Sequence, residues 1–259
     1  MIDIGANLSH ESFQNDLDAV LERARAAGME KLILTGTNLE SSQHAIELCH
    51  LYPDFLYSTV GLHPHEAVNY TVDLENSFRE LLQQDCVKAL GECGLDYNRN
   101  YSPAPAQESA FIAQLNLAVE LQKPLFLHQR DAHDRFLPIL QEVRDQLGHL
   151  VVHCFTGTRD ELHDYLDMDL YIGITGWICD ERRGYDLHPL LKDIPEDRLM
   201  LETDAPYLLP RNIKPKPSSR RNEPANLTYV VAMVSHCLGK SPASVALQTS
   251  NNARDFFAL

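Results

Sequence analysis

Positive charge is scarce in this sequence: 22 Lys and Arg stand against 37 Asp and Glu, for a formal net charge of −15 at pH 7. That balance excludes a protein that grips nucleic acid through a broad basic face, so any polyanion must be met by a local cluster of cations. Long apolar runs are missing too. Those present, such as KLIL (31–34) and LVV (150–152), are strand-sized and far short of the ~20 residues that cross a bilayer, so no membrane partner is expected. The opening MIDIGANLSH has no basic stretch and no apolar core of signal type, and Arg182-Arg183 is internal with no hydrophobic segment behind it. Six cysteines occur without paired spacing, which fits free thiols in a reducing compartment; the cytoplasm is expected. Repeats, low-complexity tracts and interdomain linkers are also absent.

What is there is a recurring unit: a short apolar run, a turn, then a helical pattern. Eight runs read as strands, at 2–8, 31–37, 56–64, 87–96, 124–130, 149–155, 171–176 and 199–207. Between them apolar residues recur at three- and four-residue spacing, as in Phe111, Leu115, Ala118 and Leu121, or Leu137, Leu140, Val143 and Leu147. Pro103 and Pro105 mark the start of a helix over 105–122, and helical patterns near 224–238 and 242–256 close the chain. Strands alternating with helices imply parallel pairing, because each crossover needs a helix. An open doubly wound sheet is disfavoured: no GxGxxG follows the first strand, and polar residues cluster at many strand ends instead of one switch point. The expected class is α/β, a single (β/α)8 TIM-type barrel of the metal-dependent hydrolase kind, spanning 1–259 as one domain.

In such a barrel the chemistry sits at the carboxyl ends of the strands. Those ends carry His63 and His65 (GLHPH), Glu92 and Asp96 (GECGLD), His128, Arg130 and Asp131, His153, and Glu202 and Asp204 (ETDAPY). A lone histidine in an apolar strand is as often a core residue as a ligand. A carboxylate such as Glu92 is harder to dismiss, since a buried charge is costly unless paired or metal-bound. Imidazoles and carboxylates converging on one pole suit a divalent ion with exchangeable water positions. The expected metal residues are Glu92, His128, His153 and Asp204, with Mg2+ the expected ion and Mn2+ or Zn2+ the alternatives. Such an ion lowers the pKa of a bound water and neutralises a phosphoryl oxygen. Asp204 either completes the coordination or accepts the water's proton; His63 and His65 contact phosphate or protonate the leaving oxygen, unless HPH is simply a solvated turn. Strand alternation turns Cys93 and Cys154 toward the helices, puts Glu202 one layer deeper to orient a ligand, and leaves Lys88 at the wrong end of its strand.

The substrate signal is weaker. Arg211, Lys214, Lys216, Arg220 and Arg221 crowd one loop after the last strand with no acid among them, and Arg130 ends the fifth strand. They could neutralise phosphates on the catalytic rim, or the loop could be an ordinary solvated one stiffened by prolines. Arg99, Tyr97, Tyr101, Trp177, Arg182 and Arg183 could add phosphate contacts and stacking.

The segments GLHPHEA, GECGLDYNRN, LHQRDAH, HCFTGT, GITGWICDERRG, ETDAPYLLPR and KPSSRRNEPA follow in barrel order, and together they closely resemble the TatD family of metal-dependent deoxyribonucleases. The resemblance implies a β/α barrel and a magnesium-type dependence. It also implies 3′-to-5′ exonuclease action on single-stranded DNA and RNA, in the service of DNA repair after oxidative damage. It carries metal binding onto Glu92, His128 and His153, a metal or catalytic role onto Asp204, and phosphate-side roles onto His63 and His65. One departure stands out: where many relatives carry a His-x-His pair at the end of the first strand, this chain has Gly5 and Asn7. One tight ion is therefore expected, with a second recruited only alongside substrate phosphate. Two other readings share these residues: a metal-dependent hydrolase of small esters or amides, and a noncatalytic binding protein on a decayed barrel. A monomer is expected, since no exposed apolar stripe suggests an obligate dimer.

Overall fold

A computed structural model describes residues 1–259. Eight strands, β1 (Ile2–Ala6), β2 (Lys31–Leu34), β3 (Leu56–Val60), β4 (Val87–Asp96), β5 (Leu125–Arg130), β6 (Leu150–Val152), β7 (Tyr171–Ile174) and β8 (Leu199–Leu201), pair in sequence order. Every pair is parallel. The sheet closes on itself just past β8, where Ala6 bridges Ala205 and the Asp204 N–H donates to the Gly5 carbonyl at 2.8 Å. The expected barrel is what forms.

Helices lie between successive strands on the outside, and their starts are chemically marked. Asn38 and Ser41 form a reciprocal cap on the helix Leu39–Leu51, as Thr158 and Glu161 do on Arg159–Asp167, each satisfying two N–H groups that a helix start leaves open. The prolines at 103 and 105 fall at the cap and first turn of Ala104–Leu121, where a missing N–H costs nothing. The apolar stripe from Leu137 to Leu147 breaks after Val143, so Leu147 follows a short 3-10 turn instead of continuing the helix. The pattern near 224–238 likewise divides into a 3-10 turn, Pro224–Asn226, and a helix, Leu227–Leu238.

Two apolar regions result. One fills the space between strands and helices. The other lies within the barrel's amino-terminal pole, where Ile4, Ile33, Phe126, Val151 and Met200 meet Phe256 and Phe257 of the last helix, Pro242–Phe257. The aromatic pair plugs that pole, so the opposite end is the one open to solvent. No single helix is long and apolar enough to cross a membrane.

Candidate active site

β4 is the longest strand, buried on both faces, and it delivers Glu92 to the barrel axis and Asp96 to its rim. Glu92 is 5% exposed, and three imidazoles converge on one of its oxygens. From Glu92 Oε1, His128 Nδ1 and His153 Nε2 each lie at 2.8 Å and His63 Nε2 at 3.2 Å. Burial raises the Glu92 carboxyl, but His153, His63 and His128 outweigh it and hold it well below the usual carboxylate range. Burial works against charge on His153 as well, yet Glu92 and Glu202 together carry its pKa well above the ordinary imidazole value. His128 is raised by Asp96 and Glu92 against the same burial penalty.

This is an electrostatic trap for positive charge. The residues fit a divalent ion: Glu92, His128 and His153 bring one carboxylate oxygen and two ring nitrogens to a common point, and protons drawn there stand where a cation would. The second nitrogen of each ring has a carboxylate behind it, 3.4 Å away in both cases. His128 Nε2 is buried without a hydrogen-bond partner, and the nearest acceptor, Asp96 Oδ2, stands 3.4 Å away. His153 Nδ1 faces Glu202 Oε2 at 3.4 Å, and Glu202 Oε1 accepts the Cys154 N–H at 2.6 Å. Carboxylates behind both rings keep the forward nitrogens free to ligate.

His63 also stands beside Glu92 and His128 in a spacing that could hold an ion. Its tautomer argues for another task. The His65 N–H donates to His63 Nδ1 at 3.1 Å, so in the neutral ring the hydrogen sits on Nε2, the atom that points at Glu92. Burial lowers its pKa despite Glu92, favouring that neutral ring. His63 is built to donate a hydrogen bond. His65 pairs with Asp96 at 2.8 Å and borders the same cleft.

Asp204 follows β8 in a left-handed conformation (φ 54°) and is held by the Asn7 amide, which donates to its Oδ1 at 3.0 Å. Burial, the nearby charge of Glu92 and that of Glu202 push its carboxyl up to about 7, against the opposing pull of His153. The end of β1 therefore contributes a hydrogen bond in place of two imidazoles. A side chain at Gly5 would run into the Glu202 carboxylate and the Phe126 ring, so the deeper of the two positions is already filled.

A cleft of about 600 Å³ opens over these groups, and its only apolar linings are Cys154, Trp177, Tyr207 and Leu208. Cys154 corrects an expectation. It lies past the end of β6 with φ 47°, where strand alternation no longer applies, and it borders the cleft instead of turning to the helices; Cys93, within β4, is fully buried in the core as expected.

The cations divide differently from the sequence reading. Arg130 lines the cleft, joined by Arg99 and Arg183, and none of the three is ion-paired. Arg211 stands outside it, 3.5 Å from Asp180 and 3.6 Å from Glu181. Lys214, Lys216 and Arg220 are exposed on the loop and do not line the cleft. Arg221 is turned away altogether: its guanidinium donates to both Asp16 oxygens at 2.7 and 2.6 Å, to Glu223 at 2.9 Å and to the Ser12 carbonyl at 2.6 Å. In this arrangement Arg221 serves as a structural clasp and does not line the cleft. The cleft also takes in Asn7, marked in the sequence only as the place of a missing histidine, and His10, Thr37 and Tyr207, which no spacing marked out; Tyr97 is instead bonded to Glu108 at 2.8 Å.

With this geometry in hand, the similarity of the chain to known proteins is informative. Over its full length it is 51% identical to the 3′-5′ ssDNA/RNA exonuclease TatD of Citrobacter koseri, covering 99% of that protein. It is 52% identical to the enzyme of the same name from a Rahnella species, covering 98% of it. Among solved structures, a TatD family hydrolase from Entamoeba histolytica superposes with a TM-score of 0.90 at 28% identity, over 99% of this chain and 97% of that one. A TatD homologue from Escherichia coli gives the same score at 26% identity, over 100% and 98% of the two chains. The family model described as TatD related DNase matches residues 2–258, and the chain belongs to that family.

Proposed function

We propose that this chain is a magnesium-dependent 3′-to-5′ exonuclease that hydrolyses the phosphodiester bonds of single-stranded DNA and RNA. The observation that carries the reading is the pairing of two features in one cleft: imidazoles converging on Glu92, and three arginines around them that no carboxylate of the chain neutralises. Relatives about half identical over their whole length, named as 3′-5′ ssDNA/RNA exonucleases, support the substrate and the polarity.

Glu92, His128 through Nδ1 and His153 through Nε2 would hold the ion. When bound, it supplies an acidified water and neutralises a phosphoryl oxygen. Asp204, fixed by Asn7 at the edge of the same cleft, accepts the proton of the attacking water. His63 donates from Nε2 toward a phosphoryl or leaving oxygen, and His65 supports it from its bond to Asp96. Arg99, Arg130 and Arg183 bind the flanking phosphates, which a rim of unpaired guanidiniums does even in a chain of net charge −15. Removal of damaged 3′ ends would place the enzyme in repair, as a cytoplasmic monomer. Six free thiols and scattered exposed apolar side chains support that setting.

The ester or amide hydrolase reading is weaker, because a small neutral substrate would leave those three guanidiniums without a counter-charge. A 5′-labelled single strand tests the proposal: with magnesium it should shorten stepwise from its 3′ end. Internal cuts without a ladder, or hydrolysis of a small ester but not of the oligonucleotide, would overturn it.

A further inference from the structure

The cleft has an aromatic wall that the phosphate chemistry does not use. Trp177, the sole tryptophan of the chain, sits in the 3-10 turn Gly176–Cys179 after β7 and borders the cleft while part of its ring packs on the core. Two close approaches fix its place. Gly176 lies against the Leu208 carbonyl and Pro210, so the turn after β7 is pressed on the loop after β8 and there is no room for a side chain between them. Gly184 packs its bare Cα against the carbonyls of Trp177, Ile178 and Asp180, and its N–H donates to the Asp180 carbonyl at 2.8 Å. That fold-back brings Arg183 over the indole, 5.6 Å from the ring centre, while Arg182 and Arg211 are drawn to Asp180 instead. Arg183 is left free to reach an anion. Tyr207, half-exposed, stands on the neighbouring loop, edge-on to His10.

A flat indole at the edge of a phosphodiester site, with a guanidinium over it that no carboxylate pairs, offers groups for one repeating element of the substrate: a base next to its phosphate. We infer that Trp177 is a stacking platform for a nucleobase flanking the scissile phosphate, the base taking the place over the indole that the Arg183 guanidinium holds in the free protein, and Arg183 turning to hold the adjoining phosphate. The inference rests on the polynucleotide reading above and deepens it. Stacking is tolerant of base identity, because every base has a π-face, so the platform suits an exonuclease that must advance through any sequence. It selects against duplex ends, whose bases are already stacked and paired.

The sole tryptophan is its own reporter. A single-stranded phosphorothioate oligonucleotide, resistant to hydrolysis, is titrated into wild-type protein with magnesium present, and binding is followed in parallel by anisotropy of a 5′ dye. Tryptophan emission should be quenched in step with binding, and an oligonucleotide with abasic sugars at its last two 3′ positions should bind more weakly and quench little. Trp177→Ala should weaken binding of the normal oligonucleotide by about 5- to 150-fold, the range of one base–aromatic stack, and should no longer distinguish it from the abasic one. Trp177→Phe, which keeps a ring and guards against misfolding as an explanation, should restore most of the difference. Binding without any change in emission, or a base-over-abasic preference that survives Trp177→Ala, would overturn the platform while leaving the nuclease reading intact. Quenching and base preference without cleavage of an unmodified strand would sink the nuclease reading and leave the platform standing. Absence of binding would refute both.

Discussion

Consider Arg221→Ala, which deletes a guanidinium bonded to both oxygens of Asp16 at 2.6–2.7 Å, to Glu223 at 2.9 Å and to the Ser12 carbonyl at 2.6 Å, and stacked 4.9 Å from the Phe13 ring centre. These contacts tie the loop after β8 to the segment after β1, about two hundred residues away in sequence. A hydrogen bond to a charged group contributes roughly 1.5–3 kcal/mol when sheltered, but an exposed ion pair only about 0.2–1 kcal/mol. The Arg221 side chain is 22% exposed and Asp16 38%, so solvent screens much of the Asp16 term while the Glu223 and Ser12 bonds keep more of theirs. About 2–3 kcal/mol is a reasonable sum, and at 2–4 °C per kcal/mol for a domain near this size the Tm should fall by roughly 4–12 °C. The salt dependence of single-strand binding should not change. Arg130→Ala should do the reverse: Tm nearly unaffected, and the slope of log K against log salt shallower by about 0.7, the value of one single-strand phosphate contact. Thermal melts and a salt series on both variants decide it. If Arg221→Ala melts like wild type and loses salt slope, the division of the arginines drawn from the structure is wrong.

Asp3 is fully buried and accepts from the Thr203 hydroxyl at 2.6 Å; burial, outweighing the Thr203 and Gly5 hydrogen bonds, pushes its carboxyl up to about 7. A folded pKa above the unfolded one gives stability that is present at acid pH and lost as pH rises through about 7. Asp3→Asn should therefore flatten the fall in unfolding free energy of the metal-free protein between pH 5 and 8 in urea melts, and an unchanged slope would refute the assignment. Asp96→Asn removes the carboxylate behind His128 and His65, and should weaken the affinity for Mg2+ by about 10- to 100-fold in calorimetry; unaltered affinity would show that Asp96 does not set the ring. With Gly5 backed by Glu202 and Asn7 given to Asp204, calorimetry should count one tight ion per free chain, and two would contradict that reading of the β1 end.

The fold was largely legible because its signals are local. Each apolar run had room for one strand, each crossover needed a helix, and β4, buried at every position but Lys88, was bounded correctly at Val87 and Asp96. Most other strands stop short of their apolar pattern, β3 at Val60, β6 at Val152 and β8 at Leu201, because the residues beyond leave the hydrogen-bonded ladder to face the cleft. That departure hid the orientation of Cys154, whose left-handed backbone breaks the alternation from which its direction was argued. Glu92, His128, His153 and Asp204, which line one cleft, were conspicuous in the sequence as histidines and acids at strand ends. His10 and Tyr207 were not, since a single polar or aromatic residue in a turn carries no pattern, and Asn7 stood out only as the place of a missing histidine, not as the partner of Asp204. The basic loop was hard to read for a further reason: whether a guanidinium is free depends on partners such as Asp16, whose proximity to Arg221 is a fact of tertiary structure alone.

The most direct test of the central claim compares wild type with Glu92→Ala on a 5′-labelled single-stranded DNA in magnesium. The account predicts stepwise shortening from the 3′ end by the wild type, none by the variant, and loss of the magnesium-induced rise in Tm in the variant as well. Equal cleavage by both proteins would contradict the assignment of Glu92 as the centre of the site.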